Sequence, residues 1–189
     1  MKVYLVGGAI RDKLLGLTPK EKDWVVVNSN PSQLIELGYK QVGKKFPVFL
    51  HPETFEEYAL ARLEKKTNKG HKGFEFDTSE SVTLEQDLLR RDITINSIAQ
   101  DENGDLIDPH NGITDLENRI IRHVSDAFLE DPLRIFRVAR FYSTLSNYNF
   151  TIHEATYEVM KNIVKSGEIE DLSRERLWTE FSKAFNSKN

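Results

Sequence analysis

Cysteine is absent from the 189 residues. That excludes a disulfide partner and any zinc site built on thiolates, and it suits a reducing cytoplasm. Long apolar runs are missing too. The stretch Val3–Val6 is cut off by Gly7 and Gly8, too early for the core of a signal peptide, and no later segment is long enough to cross a membrane. Positive charge is in short supply: 26 Lys and Arg stand against 30 Asp and Glu, a formal net charge of −4. A global positive field for nucleic acid is therefore not expected, and any such contact must be local. Repeats and low-complexity tracts are also lacking, while apolar and aromatic residues suffice for a packed core.

What is present divides into a mixed α/β part, residues 1–124, and an all-helical part, residues 125–189, with no flexible linker between them. The two are expected to pack as one rigid unit. Val3–Val6 reads as a buried strand, Ala9–Leu15 as a helix stopped by Gly16, and Asp23–Val27 as a second strand. A short helix follows Pro31, and Pro47–Leu50 and Glu57–Arg62 are further strands. Lys65–Ser81 is polar and aperiodic, which predicts a long mobile loop of functional use. Asp92–Gln100 and Asp105–Pro109 predict a hairpin around Asn103-Gly104. Thr114–Glu117 has capping-box form and predicts a helix through Arg122. Ile135, Val138, Ala139 and Tyr142 predict the buried stripe of a helix. Two more helices are expected, Glu154–Val164 and one capped by Ser173 that runs to Phe185.

Four groups of residues carry chemistry. Glu21 and Asp23 are two carboxylates that a strand would place on one face, a donor set suited to hard divalent cations. Gly7-Gly8 between a strand and a helix, with Arg11 in the first turns, forms a phosphate cradle. Arg91 offers a fork of donors to phosphate and Asp92 an acceptor to a ribose hydroxyl. Asp131-Pro132 is a helix start, but that plain account leaves Arg134, Arg137 and Arg140 unexplained. At steps of three they form a spiralling ridge. From Asp131 to Arg140 a helix rises roughly 13 Å, comparable to an extended nucleotide.

Together these runs resemble the class II CCA-adding enzymes, tRNA nucleotidyltransferases of the polymerase-beta-like superfamily related to bacterial poly(A) polymerases. The carriers are Gly7-Gly8 to Arg11-Asp12, Glu21-x-Asp23-Trp24-Val25-Val26-Val27, Phe46–Pro52, Glu56–Arg62, Arg90-Arg91-Asp92, Glu130-Asp131-Pro132-Leu133-Arg134 and Ser173–Glu180. The middle stretches are closest to the proteobacterial type. The resemblance implies an α+β fold: a polymerase-beta-like head with a mixed sheet flanked by helices, then a helical neck. It implies template-independent addition of CCA to the 3′ end of tRNA from CTP and ATP, with Mg2+ on Glu21 and Asp23. Gly8, Arg11, Arg91 and Asp92 would bind the nucleotide. Asp131 and Arg134 would read its base, and Arg137 and Arg140 would hold it deeper. Glu57 is a candidate third metal carboxylate. Trp178 is expected in the core.

Three departures stand out. Glu21 occupies a position usually held by Asp, and Ser97 one usually held by Ala. The family usually continues into body and tail domains that grip tRNA, whereas this chain stops after the neck, as a fragment or a minimal enzyme. Two alternatives stay open: a CC-adding or poly(A) polymerase, and a non-catalytic nucleotide- or RNA-binding module.

Overall fold

The computed structural model describes residues 1–43, 48–66 and 74–186. The chain begins with β1 (Lys2–Val6), whose last two residues are buried. Gly7 then turns the backbone at φ +74°, a region that suits glycine, into α1 (Gly8–Leu14). β2 (Asp23–Val27) returns antiparallel to β1, with Lys2 opposite Val27 and Val6 opposite Asp23. In α2 (Pro31–Glu36) the Asn30 side chain accepts from the Gln33 N–H, and proline opens the helix. β3 (Lys40–Val42), β4 (Val48–Leu50) and β5 (Glu57–Leu60) follow. β6 (Leu63–Lys66) and β7 (Phe74–Asp77) pair antiparallel, apart from the main sheet.

α3 (Leu84–Leu89) is opened by a complete capping box between Thr83 and Gln86. A short 3-10 helix, Thr94–Asn96, leads to β8 (Ala99–Gln100) and β9 (Leu106–Ile107). α4 (Gly112–Glu117) and β10 (Ile120–Ile121) complete the first part. Beyond it lie α5 (Leu133–Leu145), β11 (Thr151–Ile152), α6 (Glu154–Ser166) and α7 (Arg174–Phe185). Seven strands form one sheet in the order β3-β4-β5-β2-β1-β8-β9, with β2 and β5 parallel and the other neighbours antiparallel. This is the expected α+β fold, a mixed sheet with flanking helices and a mainly helical C-terminal part.

The apolar core does not respect a boundary at residue 124. Ile93, Ile95, Leu116 and Ile121 pack in one cluster with Phe128, Val138, Phe141, Leu145, Phe150 and Ile163. β11 pairs parallel with β10 across the same boundary, so the second part is not wholly helical.

Several local expectations are corrected. Lys65–Ser81 is not one loop: Lys65 and Lys66 end β6, Phe74–Asp77 form its partner β7, only residues 78–81 of its described part are irregular, and residues 67–73 lie outside the described residues. Pro47, placed in a strand by the sequence, also lies outside them. The hairpin around Gly104 is confined to β8 and β9, because Thr94–Asn96 is helical. Thr114 caps nothing. Asp108 accepts from the N–H groups of Gly112 and Ile113 at 2.7 and 2.8 Å, so α4 starts earlier. Thr114 is then inside the helix, and Asp115 turns inward to accept from Thr94 and Arg122. On α5 the buried stripe is Arg134, Val138, Phe141 and Leu145, while Ala139 and Tyr142 are exposed. Apolar periodicity misjudged the phase because an arginine occupies part of the inner arc. Trp178 is 68% exposed, not core.

Candidate active site

Because Val6 lies opposite Asp23, the first carboxylate of β2 stands at the end of β1, where the glycine turn begins. Glu21 lies two residues before it. Both are exposed, and among the described residues neither makes an ion pair or a side-chain hydrogen bond. The Asp23 carboxyl is nonetheless raised above its ordinary pKa. Crowding by surrounding protein is the largest cause, and Glu21 adds to it, while Arg91, Lys183 and Arg137 pull the other way. Asp23 therefore sits within the field of a head arginine, an α5 arginine and an α7 lysine. β2 begins at Asp23, so Glu21 precedes the strand and the expected strand alternation does not set the pair on one face. Two carboxylates two residues apart, free of ion pairs among the described residues, are still a donor set that a hard divalent cation fits. Glu57 is directly opposite Asp23 on β5. The described residues contain no group of three or more Asp, Glu, His or Cys able to hold a metal, so Glu57 does not complete a three-carboxylate cluster.

Two guanidinium groups lie against the glycine turn. A Cβ at Gly7 would stand 3.3 Å from Arg91 Nη1, and one at Gly8 would stand 3.3 Å from Arg11 Nη2. Asn96 ties the two arginines together. Its Oδ1 accepts from Arg11 Nη1 at 2.7 Å, and its carbonyl accepts from Arg91 Nη1 at 3.4 Å. Arg11 also donates to Asp12.

Behind them Asp87, fully buried, accepts from Arg91 at 3.0 Å, from Arg90 at 2.6 and 3.1 Å, and from the Arg62 N–H. Burial pushes its carboxyl up, but Arg91 and Arg90 hold it below the usual range. Arg62 itself is pushed down to about 10, by burial first and then by Arg90.

The neck side is built on α5 and α7. Asp92 is buried and accepts from Arg137 Nε at 2.7 Å and from the Ile93 N–H. Burial raises the Asp92 carboxyl, but Arg137 outweighs it and the pKa is lowered. Arg137 is raised, chiefly by Asp92. Glu180 of α7, buried, accepts from Arg140 at 2.7 Å and pairs with Arg137 at 3.6 Å. The guanidinium carbons of Arg11, Arg137 and Arg140 lie 5.3, 5.7 and 4.2 Å from the centre of the Phe141 ring, which joins the glycine-turn side of the cleft to the ridge. Arg134 is buried and donates to the Arg90 carbonyl at 2.6 Å. Asp131 accepts from Arg176 at 2.7 Å and from the Leu133 N–H, so its carboxylate is paired with an α7 arginine and not with Arg134.

A model of the poly A polymerase head domain matches residues 3–122, more than half of the chain. The chain belongs to this head-domain family. A second model, described as the probable RNA and SrmB-binding site of polymerase A, matches residues 149–189. The head-domain chain is 59% identical over 184 residues to the multifunctional CCA protein of Pseudoalteromonas atlantica, covering 97% of itself and 45% of that protein. It thus spans about half the length of the curated relatives it matches. A solved CCA-adding enzyme in complex with CTP matches at a TM-score of 0.77 and 33% identity, over 100% of this chain and 44% of the other. The Thermotoga maritima CCA-adding enzyme complexed with tRNA matches at 0.76 and 30%, again over 100% and 44%.

Contacts and ion pairs connect Gly8, Arg11, Arg91, Asp92, Arg137 and Arg140 through Asn96, Glu180 and Phe141, and Asp23 lies in the field of Arg91 and Arg137. Reading the sequence missed Asp87, Asn96, Phe141, Glu180 and Arg176 as the groups that orient these. Asp87 had a signal, since it stands three and four residues before Arg90 and Arg91 on a helix. Phe141 had one as well, four residues after Arg137 on the same helix, whereas Glu180 and Arg176 meet partners 40 or more residues away. No helix among the described residues is long and apolar enough to cross a membrane.

Proposed function

We propose that this chain adds CCA to the 3′ end of tRNA without a template, using CTP and ATP, in the cytoplasm that a cysteine-free chain suits. The names of its relatives support that reading, as do solved relatives with CTP and with tRNA. One observation carries it: Asp23, unpaired, stands across from the residue that enters the glycine turn and within the field of Arg91 and Arg137.

Glu21 and Asp23 would hold Mg2+. A divalent cation there supplies charge neutralisation at the phosphates and activation of an attacking hydroxyl. The tRNA 3′-oxygen attacks the α-phosphorus, the bond from that phosphorus to the β-phosphate oxygen breaks, and pyrophosphate leaves. Arg11 and Arg91 orient phosphate oxygens beside the Gly7-Gly8 backbone. Asp92, held by Arg137, accepts from a ribose hydroxyl. Asp131 and Arg134 read the base, and Arg137 and Arg140 fix the nucleotide against α5. In this scheme residues 1–124 are a catalytic head and residues 125–189 a neck with the base-reading helix. Most of the rate comes from positioning and electrostatics.

Labelled CTP and ATP offered with a tRNA lacking its CCA test the reading. Incorporation of C, C and A is expected, with loss in Asp23→Ala and after chelation of divalent cations. A stop at CC or a long A tail would replace it with one of the neighbouring activities. Nucleotide binding with no transfer would leave only a binding module.

A further inference from the structure

Phe55 is unusual in both backbone and side chain. Its φ is +59°, in the left-handed region that crowds any Cβ and is an outlier for a bulky residue. Its side chain is 71% exposed. Four other non-glycine residues share that region: Asn28, Asn111, Asn149 and Arg119. Asparagine tolerates it, and the Arg119 guanidinium lies 5.6 Å from the centre of the Phe150 ring. Among the described residues the Phe55 ring has no aromatic or cationic partner. A strained backbone that holds an apolar ring in water points to a use for the ring.

The turn that carries Phe55 stands beside the carboxylates. It joins β4 to β5: the Phe55 N–H donates to the His51 carbonyl at 3.1 Å, and the His51 N–H donates to the Glu56 carbonyl at 3.0 Å. The next side chain, Glu56, accepts from Lys22 at 3.1 Å and from the Trp24 indole at 2.8 Å, the residues on either side of Asp23. The one after, Glu57, is the Cα partner of Asp23. Two extended residues and one strand spacing put the Phe55 Cα at most about 12 Å from that of Asp23.

Asp23 has two sides. On one, β1 ends at the glycine turn with Arg11 and Arg91; on the other, β5 begins after the Phe55 turn. In-line transfer sets the attacking hydroxyl and the leaving pyrophosphate on opposite sides of the reacting phosphorus. With the phosphates on the β1 side, the acceptor arrives from the β5 side. Glu53, Glu56 and Glu57 make that turn acidic, so charge does not draw RNA there. A ring face does, since bases stack on aromatic side chains whatever their sequence.

We propose that Phe55 is a stacking platform for the unpaired base at the 3′ end of the acceptor RNA. The inference rests on the transfer reaction proposed above and adds the side from which the acceptor enters.

Phe55→Asn removes the ring and keeps a residue that tolerates the turn. It should melt at or above the wild-type temperature. Its KM for tRNA lacking CCA should rise about tenfold, while CTP affinity by calorimetry changes less than about twofold. Phe55→Trp should restore the KM. The tRNA effect should keep its size between about 50 and 200 mM salt, because a stack releases no counterions. An RNA hairpin with 2-aminopurine as its unpaired 3′ residue reads the stack directly. At protein concentrations that saturate it, without nucleotide, the wild-type chain should quench its fluorescence and Phe55→Asn should not. An equal quench by both chains, or by neither, overturns the proposal. So does an unchanged KM for tRNA, or a parallel loss of CTP affinity, in Phe55→Asn. The quench needs no transfer, so a wild-type chain that quenches but incorporates nothing would sink the proposed activity and leave the stack standing.

Discussion

Asp23 lives under opposing influences. Crowding and Glu21 disfavour its charge, and Arg91, Lys183 and Arg137 favour it, with the balance on the unfavourable side. Because the folded pKa lies above the ordinary 3.8, the folded chain holds more protons than the unfolded one between those two values. Stability is therefore lost as pH rises through that window. Asp23→Asn should melt higher than the wild-type chain at pH 7, with the gap closing as pH falls toward 3.8. Mg2+ should raise the melting temperature of the wild-type chain and leave that of Asp23→Asn nearly unchanged. Transfer activity should drop by roughly a thousandfold in the variant. Thermal melts across pH, with and without Mg2+, check the stability claims. Asp87 has the opposite sign. Its lowered pKa means stability that is present above the ordinary carboxylate range and lost as pH falls through the folded value. Asp87→Asn leaves Arg90 and Arg91 without their shared carboxylate, at a cost of about 3–5 kcal/mol by urea denaturation.

At the scale of elements, short helices are placed by what flanks them. α4 is started by the Asp108 carboxylate and by Asn111 at φ +56°, not by its own Thr114. Gly112 is the closest approach: a Cβ there would collide with the Thr94 carbonyl and crowd Ile98. Gly112→Ala must push α4 away from the 3-10 turn that carries Asn96, the group shared by Arg11 and Arg91. We expect a loss of about 1–3 kcal/mol in stability, together with a higher KM for both nucleotides, measurable on the same preparation. α5 shows the complementary case. Its inner arc combines Val138, Phe141 and Leu145 with a buried arginine, so the helix carries the core and the ridge at once.

At the scale of the whole molecule, two halves meet through charge as well as through apolar packing. Asp92 with Arg137, Asp131 with Arg176, and Glu180 with Arg137 and Arg140 draw α5, α7 and the head together around the cleft. The net charge is −4, so the proposed RNA contact must rest on a few local cations. Transfer to tRNA at subsaturating RNA should fall steeply as salt rises from about 50 to 200 mM, while CTP affinity falls less. Initial rates and calorimetry over that range check the contrast.

The sequence by itself determined the strand–glycine turn–helix entry, Asp23 at the start of the next strand and the long helices of the second part. Each rests on a local signal: a φ that suits glycine, a run of β-formers, a Ser173 cap or a Gly167 stop. Only the tertiary structure decided which arginine meets which carboxylate. Asp131 reaches Arg176 across 45 residues, and Asp92 reaches Arg137 across the same span. It also decided that Trp178 faces outward and that Arg134 faces inward. Charges on remote segments pair according to how the helices pack, and apolar periodicity cannot count a buried arginine as part of the core.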